Sequence, residues 1–161
     1  MCKQLIQFLI LLALFSPTAR AEDMPLSRGQ LLYLPIYSSI WHGDNHPIKG
    51  EPMKSYMSAL VSIRNTSQKT TIRIVSARYY STEGKLLRDF VRPPKTISPL
   101  GTLELFIEKS EKEGGSGANF LIEWEAESAT NAPIVEAVHI DNQPSRPYSF
   151  VTSARAIQKD K

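Results

Sequence analysis

The stretch Phe120-Leu-Ile-Glu-Trp-Glu-Ala-Glu127 alternates in polarity with a period of two. Its apolar positions share one side of an extended chain, and they are Phe120, Ile122, Trp124 and Ala126. Leu121 and three glutamates occupy the opposite side. A helix would scatter the two sets around its surface because its period is 3.6 residues. The stretch therefore predicts a β-strand with one buried face and one solvated face.

The same period of two recurs along most of the chain. Clear runs cover 57–64, 71–80 and 103–108, and weaker runs cover 30–41, 85–91, 133–140 and 148–154. Clusters of Gly, Pro, Asn and Ser separate them, and no segment has the period of a useful helix. We expect an all-β domain of seven to eight strands, built as an immunoglobulin-like antiparallel sandwich of two sheets. A small closed β-barrel is the alternative.

The pattern also predicts which side chains fill the core between the two sheets. These are Tyr33, Val61, Ile63, Ile72, Ile74, Leu105, Ile122, Trp124 and Val138. Burial of each large side chain contributes about 1.5 to 3 kcal/mol.

The N-terminus is typical of a secretory signal peptide over residues 1–21. Lys3 precedes an apolar run at 5–15, and Ala19-Arg-Ala21 has the small-x-small pattern of a cleavage site. The run is too short to span a bilayer, which needs about 20 residues in a helix. We therefore expect a periplasmic or secreted protein with no transmembrane anchor after cleavage. A flexible segment at 22–29, a sandwich domain at 30–155 and a C-terminal tail at 156–161 would follow.

Charge and cysteine content exclude several classes of function. The chain has 19 Lys+Arg and 16 Asp+Glu, and cleavage removes Lys3 and Arg20, which leaves 17 basic residues against the same 16 acidic ones. A chain whose basic and acidic residues are so nearly equal in number does not indicate a nucleic-acid partner. The single Cys is at position 2, so the mature chain has neither a disulfide nor a thiol nucleophile.

Several segments together resemble one family of exported bacterial proteins. They are Leu32-Tyr-Leu-Pro-Ile-Tyr37, Trp41-His-Gly43, Ser62-Ile-Arg-Asn-Thr66, Tyr79-Tyr80, Gly84-Lys-Leu86, Gly114-Gly-Ser-Gly-Ala-Asn-Phe120 and Glu123-Trp124. The chain is similar there, over roughly 30–155, to the domain-of-unknown-function 3124 family (DUF3124). The resemblance implies export and a single domain. It implies no activity, substrate or cofactor.

If each connection reverses direction, alternate loops fall at the same end of a sandwich. One end would then carry 42–54, 81–84, 109–117 and 141–147, and the other 65–69, 92–101 and 128–132. Loops on a rigid sandwich are common sites of recognition. We therefore expect a non-catalytic binding module for an unknown protein or envelope ligand. Its predicted binding residues are Trp41, His42, Gly43, Asp44, Gly114, Gly115, Ser116, Gly117 and Asn119.

Structural interpretations of the same residues stay open. Residues 114–117 could form only a tight hairpin loop that needs positive φ, and Trp41 could be a core residue. Gly114-Gly-Ser-Gly-Ala118 also departs from the G-x-S-x-G nucleophile motif in its last residue, and no helix follows it. The sequence thus predicts no catalytic residue and no cofactor.

A copper or zinc site is the alternative function. His42, His46 and His139 are its candidate ligands, with Asp44 or the thioethers of Met53 and Met57 beside them. The spacing of His42 and His46 is a weak signal, because residues i and i+4 share a face only in a helix.

Overall fold

A computed structural model describes residues 25–46, 48, 50–144 and 147–159. The predicted signal peptide at 1–21 lies outside these residues. Within them the chain forms twelve β-strands and no helix, so no described helix could cross a membrane. The strands are β1 (Ser27–Ile36), β2 (Ser39–His42), β3 (Met53–Tyr56), β4 (Ser58–Arg64), β5 (Ile72–Tyr80), β6 (Leu86–Asp89), β7 (Lys95–Ile97), β8 (Thr102–Ile107), β9 (Ala118–Thr130), β10 (Ile134–Asp141), β11 (Tyr148–Ser153) and β12 (Arg155–Ile157).

The strands form two sheets and a separate two-stranded ribbon. The large sheet has the order β12-β1-β9-β5-β6, with β7 also paired to β5. The small sheet has the order β11-β10-β4-β8, and β2 pairs with β3 in the ribbon. Every pair is antiparallel.

The predicted all-β sandwich is confirmed, and the barrel alternative is wrong because the two sheets do not close on each other. Pairs β4–β8 and β5–β9 match the two central pairs of an immunoglobulin fold. Strands β1 and β10 are exchanged between the sheets relative to that fold, since β1 lies beside β9 and β10 beside β4. The described strands run from Ser27 to Ile157, slightly beyond the predicted 30–155.

The core lies between the two sheets and is centred on Trp124 and Phe120 of β9. Seven of the nine predicted core residues are buried, whereas Tyr33 and Val138 are partly exposed. Tyr33 was assigned wrongly because residues 31–36 of β1 are apolar on both faces. Leu32, Leu34 and Ile36 are the residues that point inward.

Val138 was assigned wrongly because the inward face of β10 ends in polar residues. Val135 and Ala137 are followed on that face by His139 and Asp141, both fully buried. A shift of one residue exchanges the two faces of a strand, so the apolar Val138 was mistaken for the core position.

The two edges of the sandwich differ. At one edge the chain passes from β11 in the small sheet to β12 in the large sheet through Ala154. The Ala154 N–H donates to the Val135 carbonyl, and the Thr152 hydroxyl donates to the Pro35 carbonyl, 2.8 Å away. At the other edge the chain crosses from β7 in the large sheet to β8 in the small sheet through residues 98–101. No crossing joins β6 and β8 within the described chain, and we call the side between these two strands the open edge.

Candidate functional site

The loops predicted at one end of the sandwich do meet there. Ile36 at the end of β1 pairs with Ala118 at the start of β9, and Tyr80 at the end of β5 pairs with Asn119. In the small sheet, the ends of β8 and β10 lie beside the start of β4. The ribbon and the β5–β6, β8–β9 and β10–β11 connections therefore share this end, which we call the loop end.

The ribbon places Trp41 outside both sheets. Trp41 is 46% exposed and Met53 is 64% exposed, so Trp41 is not a core residue. Trp41 pairs across the ribbon with Lys54, whose ammonium lies 5.0 Å from the indole centroid and 5.5 Å from the ring of Tyr56. Lys112 of the β8–β9 loop lies 5.1 Å from the Tyr56 ring. The ribbon thus presents an aromatic and cationic surface.

The other predicted residues of the ribbon lie near its tip. His42 Nε2 is 3.0 Å from the hydroxyl oxygen of Ser55 on the facing strand. Gly43 has a φ of +72° with open space around it, so its backbone conformation is what favours glycine there. Asp44 is exposed.

The glycine-rich loop at 114–117 binds the protein's own chain at the base of the ribbon. The Gly114 carbonyl accepts from the N–H and hydroxyl of Thr82 at 2.8 and 2.9 Å. The Gly115 carbonyl accepts from the Ser38 N–H at 3.0 Å, and the Gly117 N–H donates to the Thr82 hydroxyl at 2.9 Å. The loop therefore fastens the β1–β2 connection to the β5–β6 turn.

Gly114 adjoins a cluster of three oxygens. The hydroxyls of Ser38 and Tyr79 lie 2.6 Å apart and donate to Glu111 Oε2 at 2.8 and 2.7 Å. Glu111 Oε1 accepts from the backbone N–H groups of Glu113 and Gly114. A Cβ at Gly114 would lie only 1.8 Å from the Tyr79 oxygen, so no larger residue fits without moving the cluster. We call Ser38, Tyr79 and Glu111 the hydroxyl–carboxylate cluster.

Sequence reasoning missed this cluster. Ser38 is 41 residues from Tyr79 and 73 from Glu111, and no spacing rule connects them. The one available signal was the pair of consecutive glycines beside an acidic residue in the β8–β9 loop.

Within the cluster, Tyr79 keeps its proton at neutral pH whereas Glu111 is ionised. Burial and the neighbouring Glu111 raise the pKa of Tyr79 well above its usual value, although the nearby Ser38 hydroxyl acts in the opposite direction. Burial alone would raise the pKa of Glu111, but the bonds from Tyr79, Ser38 and two backbone N–H groups outweigh it and lower that pKa. At neutral pH the cluster is thus a carboxylate bound by two neutral hydroxyls, an arrangement that stabilises the fold.

His139 lies in the interior, apart from the ribbon. Its Nε2 accepts from the Tyr37 N–H at 3.1 Å, and its ring stacks on Phe150 with centroids 4.7 Å apart. Burial lowers the pKa of His139 to about 4. Asp141, also fully buried, pairs with Lys109 and accepts from Gln143, and these bonds lower its pKa although burial opposes them.

The described residues do not assemble the predicted metal ligands. No group of three or more His, Cys, Asp or Glu side chains in this part of the chain could hold a metal ion. His42 and His46 are exposed on the ribbon, whereas His139 is buried against Tyr37 and Phe150. The copper or zinc site stays a prediction from the sequence.

The remaining predicted residues lie at the base of the ribbon. Ser116 and Asn119 are partly buried there, and Asn119 belongs to β9.

Comparison with known proteins gives a family and a distant structure. The family described as "Protein of unknown function (DUF3124)" matches residues 29–157. No curated protein matches the chain. The solved structure titled "Crystal Structure of Thermotoga maritima 1070" is similar at 12% identity, with a TM-score of 0.44, over 78% of this chain and 92% of that one.

Proposed function

The chain belongs to the DUF3124 family, and we propose that it is an exported, non-catalytic binding module that captures a protein partner with its ribbon. The half-exposed Trp41, held outside both sheets with the Lys54 ammonium against its ring, carries this proposal. The export signal at 1–21 would deliver the module to the periplasm or beyond.

The chemistry of the ribbon suits a protein partner. Tryptophan is enriched among the residues that dominate binding energy, and methionine adapts to apolar surfaces of irregular shape. Trp41 and Met53 supply both, and Lys54 and Lys112 add cations at the margin. A complementary partner would offer an apolar pocket flanked by carboxylates.

The base of the ribbon is organised before binding. Met57 N–H donates to the Ser38 carbonyl, and the Ser38 N–H donates to Gly115 in the glycine-rich loop. A two-stranded ribbon is only marginally stable alone, so these bonds restrict its motion relative to the sandwich. Such restriction reduces the entropy lost on binding. In this proposal residues 114–117 support the binding surface and Trp41 contacts the partner.

The test compares partner capture by two truncations of exposed apolar side chains. Immobilised protein is incubated with envelope extract, and the captured proteins are identified for the wild type, Trp41→Ala and Ile134→Ala. Ile134 is the control because it is 51% exposed and begins β10 at the opposite end. We expect Trp41→Ala to lose about 2 kcal/mol of affinity or more, as for a central anchor, and Ile134→Ala to capture normally. Equal capture by both variants would refute the proposed role of the ribbon.

A further inference from the structure

The open edge contains a cavity that the ribbon does not form. Its volume is 310 Å³, and it lies where edge strand β6 of the large sheet approaches edge strand β8 of the small sheet. Sites for small molecules in proteins usually occupy about 300 to 1,000 Å³. The opposite edge of the sandwich is closed by the chain that crosses at Ala154.

The walls of the cavity are largely aromatic and aliphatic. Leu87, Phe90 and Phe106 line it, and Tyr79 lies at the side of the core. Phe90 packs edge-on against Phe120 and Tyr79, with centroids 5.3 and 6.3 Å away. The Arg88 guanidinium lies 4.3 Å from the centroid of Phe90. The protein therefore already places one cation against this aromatic wall.

The charged groups of the cavity are mainly carboxylates. Glu108, Glu111 and Glu113 line it together with one cation, Arg88. Both carboxylate oxygens of Glu111 already accept hydrogen bonds, from the other two members of the hydroxyl–carboxylate cluster and from backbone N–H groups. Glu113 lies 3.9 Å from the Lys85 ammonium. Glu108 is exposed, and its Oε2 accepts from the Ser110 hydroxyl. The lining thus has an excess of negative charge that opposes an anionic ligand and favours a cationic one.

We propose that this cavity binds a small organic cation, in which an ammonium group is joined to an apolar body. The apolar body packs against Phe90, Phe106 and Leu87, and the ammonium group faces Glu108 and the face of Phe90 that Arg88 covers. Arg88 is exposed on an edge strand, so its side chain can move aside. This site is independent of the ribbon and of the proposed capture of a protein.

The test is calorimetric titration of the purified protein with benzyltrimethylammonium, and with benzoate as a ring of opposite charge. We expect saturable binding of the cation only. Glu108→Gln should weaken it about two- to fivefold, as for one exposed charge. Phe106→Ala should weaken it about three- to thirtyfold. Arg88→Gln should tighten it, because that variant removes the competing cation.

Matched variants separate the cavity from the general surface. Glu104→Gln removes a carboxylate from β8, the strand that ends just before Glu108, at a position outside the cavity, and Val151→Ala truncates an exposed side chain on the sheet that contains β8. Both should bind benzyltrimethylammonium as the wild type does, and thermal melting verifies that each variant is folded. The proposal is overturned if no saturable binding is seen at millimolar cation, if benzoate binds equally well, or if Glu104→Gln weakens binding as much as Glu108→Gln.

Discussion

Replacing Gly114 with alanine tests how the glycine-rich loop is fastened. The added Cβ would lie 1.8 Å from the Tyr79 oxygen, 2.6 Å from the Ser38 oxygen and 2.9 Å from Glu111 Oε2. The Tyr79 ring cannot retreat easily, because it is 2% exposed and packs on Phe120 at 5.2 Å. The substitution must therefore separate the hydroxyls from the carboxylate.

The expected loss follows from the bonds that the cluster makes. A hydrogen bond to a charged group contributes about 1.5 to 3 kcal/mol, and both hydroxyl bonds to Glu111 are affected. Gly114→Ala should thus lower the free energy of unfolding by about 3 to 6 kcal/mol. Gly114 is not among the glycines with positive φ, so backbone strain adds nothing to this figure.

Gly84→Ala is the matched control. Gly84 has a φ of +78°, and a Cβ there would meet no atom within 4 Å. Its substitution therefore carries only conformational strain, about 1 to 2 kcal/mol. Urea unfolding followed by circular dichroism should rank Gly114→Ala as clearly less stable than Gly84→Ala.

Repeating the Gly114→Ala measurement in a Tyr79→Phe background distinguishes a steric clash from other causes of the lost stability. Tyr79→Phe removes the oxygen nearest to the new Cβ, so Gly114→Ala should cost less in that background than in the wild type. Equal stability of Gly114→Ala and Gly84→Ala, or strictly additive losses in the double variant, would refute the reasoning.

Three further predictions concern the core and the histidines. Trp124→Ala should lower the free energy of unfolding by about 3 to 5 kcal/mol, since Trp124 is 1% exposed, and a melt like that of the wild type would show the core to be misassigned. The folded pKa of His139 is about 4 against 6.5 when exposed, so its contribution to stability is complete above pH 6.5 and is lost as the pH falls towards 4. At about 1.4 kcal/mol for each unit, urea unfolding at pH 7 and pH 4 should show the wild type losing about 3 kcal/mol more than His139→Gln, and equal losses would contradict the buried neutral imidazole. If the copper or zinc alternative holds, elemental analysis of purified protein should find stoichiometric metal that a His42→Ala, His46→Ala variant lacks, and a metal-free wild type would dismiss it.

The sequence predicted best where one face of a strand is uniformly apolar. Residues 120–126 and 57–63 have that form, and their inward faces are as expected. The sequence prediction failed at β10, where the inward-facing residues His139 and Asp141 are polar. His139 is buried with a hydrogen bond from Tyr37 and Asp141 with an ion pair to Lys109, and hydropathy predicts neither. The sequence prediction also joined β1 and β2 into one strand, since the break at Tyr37 and Ser38 depends on bonds to distant residues.

The sequence predicted which loops share one end of the sandwich, but not what each of their residues contacts. Reversal of direction at each connection was enough to bring the ribbon and the β8–β9 loop to one end. The exposure of Trp41 and the close approach of Gly114 to Tyr79 depend on the three-dimensional packing and could not be predicted from the sequence. The open edge could not be predicted from the sequence either, since it depends on which strands lie at the edge of each sheet.

The most direct test of the ribbon as a binding surface is photo-crosslinking in living cells. A photo-reactive residue is placed at Met53, which lines a surface cleft together with Trp41, and in a second strain at Ile134 at the opposite end. The proposed binding surface predicts a discrete protein adduct from Met53 that disappears when Trp41→Ala is added, and none from Ile134. An adduct from Ile134 alone, or one from Met53 that persists in Trp41→Ala, would contradict it.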